Sequence, residues 1–125
     1  MLEFSDLHDP TGIAVDSAGT VYVADDTSDR VVTLAPGSNT QTVLGFTGLD
    51  HPDGLAVDGA RNVYVADTRN NRVLELPAGS SSQTVVGFSG LNEPRTVAVD
   101  GAGNLYANTF DEDFDSHYVL KLAAG

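Results

Sequence analysis

The chain has 125 residues with 6 Lys+Arg against 18 Asp+Glu, a formal net charge of −12, which excludes nucleic-acid binding by phosphate neutralisation and would be repelled by an anionic membrane. A hydrophobic content of 41% with 13 glycines places it among globular chains, and the absence of cysteine excludes a disulfide scaffold, a thiolate zinc site and a cysteine nucleophile. No apolar run approaches the roughly 18 residues of a membrane span, and Met1-Leu2-Glu3-Phe4 lacks the basic start and apolar stretch of a secretion signal.

From the N-terminus onward the chain repeats itself. Phe4, Phe46 and Phe88 are 42 residues apart, as are Pro10, Pro52 and Pro94, and aligning residues 4–45 with 46–87 gives 22 identities in 42 positions without a gap. The organisation is therefore a closing strand plus repeat 1 over 1–45, repeat 2 over 46–87 and repeat 3 over 88–125. Within repeat 1 four strands are predicted, a to d: Ile13–Val15, Val21–Ala24, Arg30–Leu34 and Gln41–Leu44, each rich in β-branched or aromatic residues. Asp16-Ser17-Ala18-Gly19 and its counterparts at Asp58 and Asp100 supply hairpin turns. No window shows helical periodicity. Strands a and b are apolar in succession, as expected when a neighbouring sheet covers each face. Repeat 3 carries a four-residue insertion between b and c and lacks strand d.

Four-stranded units of about 40 residues stacked face to face are propeller blades. The pattern Pro-x-Gly-[Ile/Leu]-Ala-Val-Asp, then Val-Tyr-Val-Ala-Asp and Arg-Val-[Val/Leu]-x-Leu, at Pro10–Leu34 and Pro52–Leu76, resembles the NHL repeat. The stretches Gly37–Leu49 and Gly79–Leu91 are similar to the extracellular sensor propellers of mycobacterial receptor serine/threonine kinases. That resemblance implies the extracellular part of a bacterial membrane protein, with kinase and membrane span elsewhere in the parent chain.

The expected fold is all-β: three NHL-type blades, half a propeller. Three blades leave an apolar sheet face at each end, so two chains are expected to pair head to tail as a homodimeric six-bladed ring. Residues Met1-Leu2-Glu3-Phe4 align with the end of strand d and would latch onto the open edge of the partner's repeat 3. Excision from a longer six-blade chain is the alternative.

The a–b and c–d connections lie on one rim and the d–a and b–c connections on the other. The second rim is where the repeats diverge: Asp9 and Thr11, His51 and Asp53, Glu93 and Arg95 flank the three prolines. Divergence on a common frame marks the candidate ligand-binding rim. Asp9, His51 and Glu93 are also candidate ligands for a divalent cation, calcium or zinc, with solvated rim residues as the plainer reading. The inserted loop carries Asp111, Glu112, Asp113 and Asp115; the alternating aspartates suggest a calcium loop, but Ser116 stands where glycine is needed, so a solvated tip or partner contact is preferred. Asp25 with Arg30 and Asp67 with Arg72 read as structural ion pairs, for which repeat 3 is expected to substitute Asn108 and Tyr118. Tyr22, Tyr64 and Tyr106 read as inter-blade core, and no serine–histidine–carboxylate arrangement is recognisable.

The preferred function is a non-catalytic binding or sensor scaffold whose rim takes a small molecule or protein segment, with no required cofactor and no nucleic-acid or membrane contact. A metal-dependent lactonase or lyase propeller is the alternative.

Overall fold

The computed structural model of the chain describes residues 2, 4–110 and 116–124. Met1, Glu3, Phe114 and the acidic residues Asp111, Glu112, Asp113 and Asp115 lie outside these, and with them the proposed calcium loop and part of the proposed latch. Three antiparallel sheets follow one another. The first contains β1 (Pro10–Val15), β2 (Val21–Asp25), β3 (Arg30–Leu34) and β4 (Thr42–Val43). The second contains β5 (Pro52–Val57), β6 (Val63–Asp67), β7 (Arg72–Leu76) and β8 (Thr84–Val85). The third has three strands, β9 (Val97–Val99), β10 (Leu105–Phe110) and β11 (His117–Leu122), and no outer fourth strand among the described residues. The fold is the expected stack of propeller blades. The only helical turn among the described residues is a 3-10 turn at Thr68–Asn70, closed by Asn71 in the left-handed region at φ 55°.

Burial follows position in the stack. Strands β2 and β6 are buried at every residue because blade 2 has a neighbouring blade on each face, while blade 1 has blade 2 on one face and Phe4 and Leu7 of the N-terminal segment against Val21, Val23 and Val32 on the other, whereas β10 alternates buried and half-buried. Tyr22, Ala24 and Val31 of blade 1 form one core with Leu55, Val63, Val65 and Leu74 of blade 2. The opposite face of blade 2, with Ala56, Tyr64 and Val73, packs on Val97, Leu105 and Ala107 of blade 3. Burial of these side chains, at about 25 cal/mol per Å² of apolar surface, holds blade to blade.

Each a–b turn is built alike. The Oδ1 of Asp16 accepts the N–H groups of Ala18 and Thr20 at 2.9 and 3.0 Å, and its Oδ2 accepts the Tyr22 hydroxyl at 2.8 Å. Asp58 with Tyr64 and Asp100 with Tyr106 repeat the arrangement. Tyr22 and Tyr64 are thus both inter-blade core and anchors of their own hairpins, a second role that the sequence pattern alone does not disclose, whereas Tyr106, on the last blade, anchors its hairpin but is only half-buried and joins no inter-blade core among the described residues. Burial pushes the Asp16 carboxyl upward, but the Tyr22 hydroxyl and the Thr20 and Ala18 N–H groups outweigh it and hold it below the usual carboxylate range.

The inner strands approach one another through glycine. A Cβ on Gly12 would overlap the Asp53 carbonyl oxygen, and one on Gly54 would lie 2.6 Å from the Arg95 carbonyl oxygen and 2.8 Å from the Thr96 Cα. The corresponding residue of repeat 3 is Thr96, and there the inner strand is shorter: β9 begins at Val97, whereas β1 and β5 begin at their prolines. Asn108 replaces the missing ladder, its Oδ1 accepting the N–H of Arg95 at 2.7 Å, the N–H of Thr96 at 2.8 Å and the Thr96 hydroxyl at 3.1 Å.

Asn108 is therefore not the counterpart of Asp25 and Asp67, contrary to expectation. Thr109 is. The fully buried Asp67 accepts the Asp50 N–H at 2.7 Å and Arg72 Nε at 2.7 Å, while Arg72 Nη2 donates to the Gly48 carbonyl. In blade 3 the Thr109 hydroxyl accepts the Asn92 N–H at 2.7 Å and donates to the Gly90 carbonyl at 3.2 Å. One hydroxyl does the work of the carboxylate and the guanidinium together, which is why both disappear in the same repeat.

Candidate functional site

The d–a and b–c connections gather on one rim as expected, and there Asp26, His51, Asp53, Thr68, Arg69, Glu93 and Arg95 line a polar cavity of about 160 Å³. Four of the six rim residues singled out in the sequence are therefore brought together: His51, Asp53, Glu93 and Arg95. Asp9 and Thr11 are not among the lining. Thr11 turns its hydroxyl to the Pro52 and Asp53 carbonyl oxygens at 3.2 and 3.3 Å, and Asp9 uses its backbone, donating to Asp25 and accepting from Asp26.

Three contributors, Asp26, Thr68 and Arg69, were missed. Asp26 and Thr68 hold the same repeat position, just after strand b, and differ from one another and from Phe110. That divergence is readable in the sequence at the 42-residue period.

Cross-blade hydrogen bonds hold the cavity in shape. The Asp29 carboxylate accepts the His51 N–H at 2.9 Å, and the Asn71 amide oxygen accepts the Glu93 N–H at 2.8 Å. His51 and Glu93 adopt left-handed backbone, φ 55° and 45°, each just before a fully buried proline. Non-glycine residues enter that region at a cost and are held there by their surroundings. Thr68 Oγ1 bridges blades 2 and 3, lying 2.7 Å from the Pro94 carbonyl oxygen and 3.0 Å from Asp53 Oδ2.

The charges inside are opposed. Asp26 is nearly buried and its carboxyl hydrogen-bonds that of Asp53, so burial first, then the hydrogen bond and the charge of Asp53, push Asp26 up to about 6; Asp9 adds to this and His51 opposes it. His51 Nε2 lies 3.8 Å from Asp26 Oδ1, and Nδ1 lies 2.7 Å from Asp50 Oδ1. Arg69 and Arg95 make no ion pair among the described residues. The cavity thus joins the adjacent carboxyls of Asp26 and Asp53 to two guanidiniums that make no ion pair among the described residues.

A raised folded-state value means that Asp26 adds stability when protonated, in full below about pH 4, and that this stability is lost as pH rises through about 6. The melting temperature is expected to rise between pH 7.5 and 5.5. Asp26→Asn keeps a donor for Asp53 and removes the charge, so it is expected to gain about 1 kcal/mol at pH 7.5 and to flatten the profile. An unchanged slope by differential scanning fluorimetry would count against the shared proton.

Asp9, His51 and Glu93 do not form a group of ligand atoms within 4.8 Å of one another among the described residues. Among the described residues, the three side chains whose ligand atoms converge within 4.8 Å are Asp29, Asp50 and His51, without Asp9 or Glu93. Both of those carboxylates are already engaged by His51 itself, Asp29 by its backbone N–H and Asp50 by its ring.

The NHL repeat family model matches residues 7–32 and 49–76. Among solved structures, a chain of a nidogen/laminin complex superposes with a TM-score of 0.79 at 20% identity, covering 94% of this chain and 50% of that one. Virginiamycin B lyase from Staphylococcus aureus superposes with a TM-score of 0.71 at 11% identity, covering 96% of this chain and 43% of the lyase. This chain thus spans about half the length of these two structures. Among curated proteins no sequence matches. Together with the three stacked sheets, these findings support an NHL-repeat β-propeller.

Proposed function

We propose that the chain is a non-catalytic binding scaffold whose rim cavity receives a small group carrying both charges, an ammonium or guanidinium beside a carboxylate, free or on a protein segment. The observation that carries this reading is the pairing, in one cavity, of the Asp26–Asp53 carboxyl pair with the unpaired Arg69 and Arg95. A cation would settle against the carboxyl pair, and a carboxylate would be held in the planar fork of an arginine. The rigid blades beneath set the geometry before binding, which lowers the ordering cost. The solved chain from a protein–protein complex supports recognition of a protein segment. Likeness to receptor-kinase sensor propellers, carried by Gly37–Leu49 and Gly79–Leu91, supports a sensor role outside a bacterial membrane.

A lyase or lactonase is the second reading, favoured by the likeness to virginiamycin B lyase; its cation would rest on Asp29, Asp50 and His51. Amide chemical-shift mapping separates the two. Titration with free amino acids is expected to move His51, Asp53, Arg69 and Arg95, with N-acetylated amides of the same amino acids much weaker and Arg95→Ala abolishing the response. Equal response to the blocked compounds, or none at all, would overturn the zwitterion reading. Shifts centred on Asp29, Asp50 and His51 on adding zinc or calcium would favour the enzyme.

A further inference from the structure

The two ends of the blade stack are complementary to each other. Ile13, Val15, Val21, Val23 and Val32 of blade 1 occupy the repeat positions of Leu55, Val57, Val63, Val65 and Leu74, the face of blade 2 that receives blade 1. In blade 2 that face is covered; in blade 1, Ile13 is 69% and Val15 58% exposed. Phe4, Leu7, Val21 and Val23 line a hollow of about 390 Å³ there, almost wholly apolar. Pro10 is exposed, whereas its counterparts Pro52 and Pro94 are fully buried at internal junctions.

The surface that fills such a face is known from the internal junctions: Ala14, Tyr22 and Val31 of blade 1 against blade 2, then Ala56, Tyr64 and Val73 of blade 2 against blade 3. At these positions blade 3 presents Ala98, Tyr106 and Val119, the last 72% exposed. The occupant that matches the open face of blade 1 is carried at the other end of the same chain. We propose that a second copy covers it, blade 3 of each chain packing on blade 1 of the other, so that two chains close a six-bladed ring with two equal seams.

The seam is not a third example of the internal junctions. Where Gly12 and Gly54 allow the inner strand to touch the next blade's backbone, blade 3 has Thr96, and Asn108 stands where blades 1 and 2 have Ala24 and Ala66. A side chain cannot occupy the space that Gly54 leaves against Arg95, so the seam stands open on the rim side. Phe110 holds the repeat position of Asp26, and Asp9 and Thr11 hold those of His51 and Asp53. Each seam therefore sets Phe110 of one copy beside Asp9 and Thr11 of the other. This gives the two rim residues left out of the single-chain cavity a site of their own, one that is incomplete without the second copy. The ring carries two polar cavities and two aromatic-walled clefts, the latter suited to an apolar or cationic group.

Light scattering on a size-exclusion column at 0.15 M salt is expected to give twice 13.0 kDa, with the doubled fraction falling at low salt because each copy carries −12. Ile13→Asp is expected to return a folded single chain, and Val85→Asp, at an equally exposed residue of the outer strand β8, to leave the doubled mass intact. Because the chain has no cysteine, Thr11→Cys with Phe110→Cys treated with a short bis-maleimide is expected to yield a covalent dimer, and Val85→Cys with Phe110→Cys none. Thr96→Gly is expected to tighten association at least threefold. A persistent single-chain mass, a higher multiple, Ile13→Asp leaving the mass doubled, or a dimer that the Thr11 and Phe110 pair does not cross-link would each overturn the proposal.

Discussion

Gly54→Ala is expected to destabilise the chain by about 1–3 kcal/mol, and Gly54→Val by more. The added Cβ would lie 2.6 Å from the Arg95 carbonyl oxygen and 2.8 Å from the Thr96 Cα. Both neighbours are backbone, so relief requires moving strand against strand and opens the junction between blades 2 and 3. Rim and core are linked here: Arg95 also lines the polar cavity, so the same substitution is expected to weaken ligand response before the chain unfolds. Gly59→Ala is the control. Its Cβ would meet nothing within 4 Å and its φ is not positive, so it is expected to be neutral or slightly stabilising, by about 0.4–1 kcal/mol, through the unfolded state. Urea titration of both variants checks the pair, and equal midpoints would show that the inner strands are less tightly packed than described.

Asp67→Ala is expected to cost about 3–5 kcal/mol, the range for removing one partner of a buried charged pair. Its carboxylate is fully buried and holds the Asp50 N–H, the Asn70 amide and Arg72 Nε. Truncation leaves the Asp50 N–H without an acceptor and Arg72 without its counter-charge. Blade 3 shows how the cost is avoided, since Thr109 accepts the loop N–H and donates to the loop carbonyl by itself. Asp67→Thr combined with Arg72→Tyr is therefore expected to cost less than Asp67→Thr and Arg72→Tyr added together, with a coupling of about 0.5–3 kcal/mol in a double-mutant cycle. Additivity within error would mean that the two sides of the pair act separately.

The candidate site divides at the same line as the fold, between what repeats and what the stacking of repeats brings together. His51, Asp53, Glu93 and Arg95 could be picked out because they vary on a frame that otherwise recurs every 42 residues. The contact of Asp26 with Asp53 could not, because it joins a hairpin tip of blade 1 to the inner strand of blade 2. Asn108 stands in repeat 3 close to where the other repeats carry the carboxylate of the ion pair, but one position before it. The period of 42 puts Thr109 at the position of Asp25 and Asp67, in agreement with the ladder that pairs Thr109 with Tyr118 and Asn108 with Val119, but that Asn108 ties down Arg95 and Thr96 is seen only in the tertiary hydrogen bonds.

The sequence by itself determined the three blades, their strands, their turns and the rim on which the repeats diverge. Those features are local: a turn aspartate bonds N–H groups two and four residues on, and a β-branched run of five residues makes its own strand preference. The tertiary structure decided which rim residues share a cavity, that Asp26 and Asp53 lie together in it, and that a single hydroxyl replaces an ion pair in blade 3. The reason is that these depend on the distance between blades, set to within an ångström by glycine-to-backbone contacts and by packed cores, and no repeat pattern specifies a distance that short.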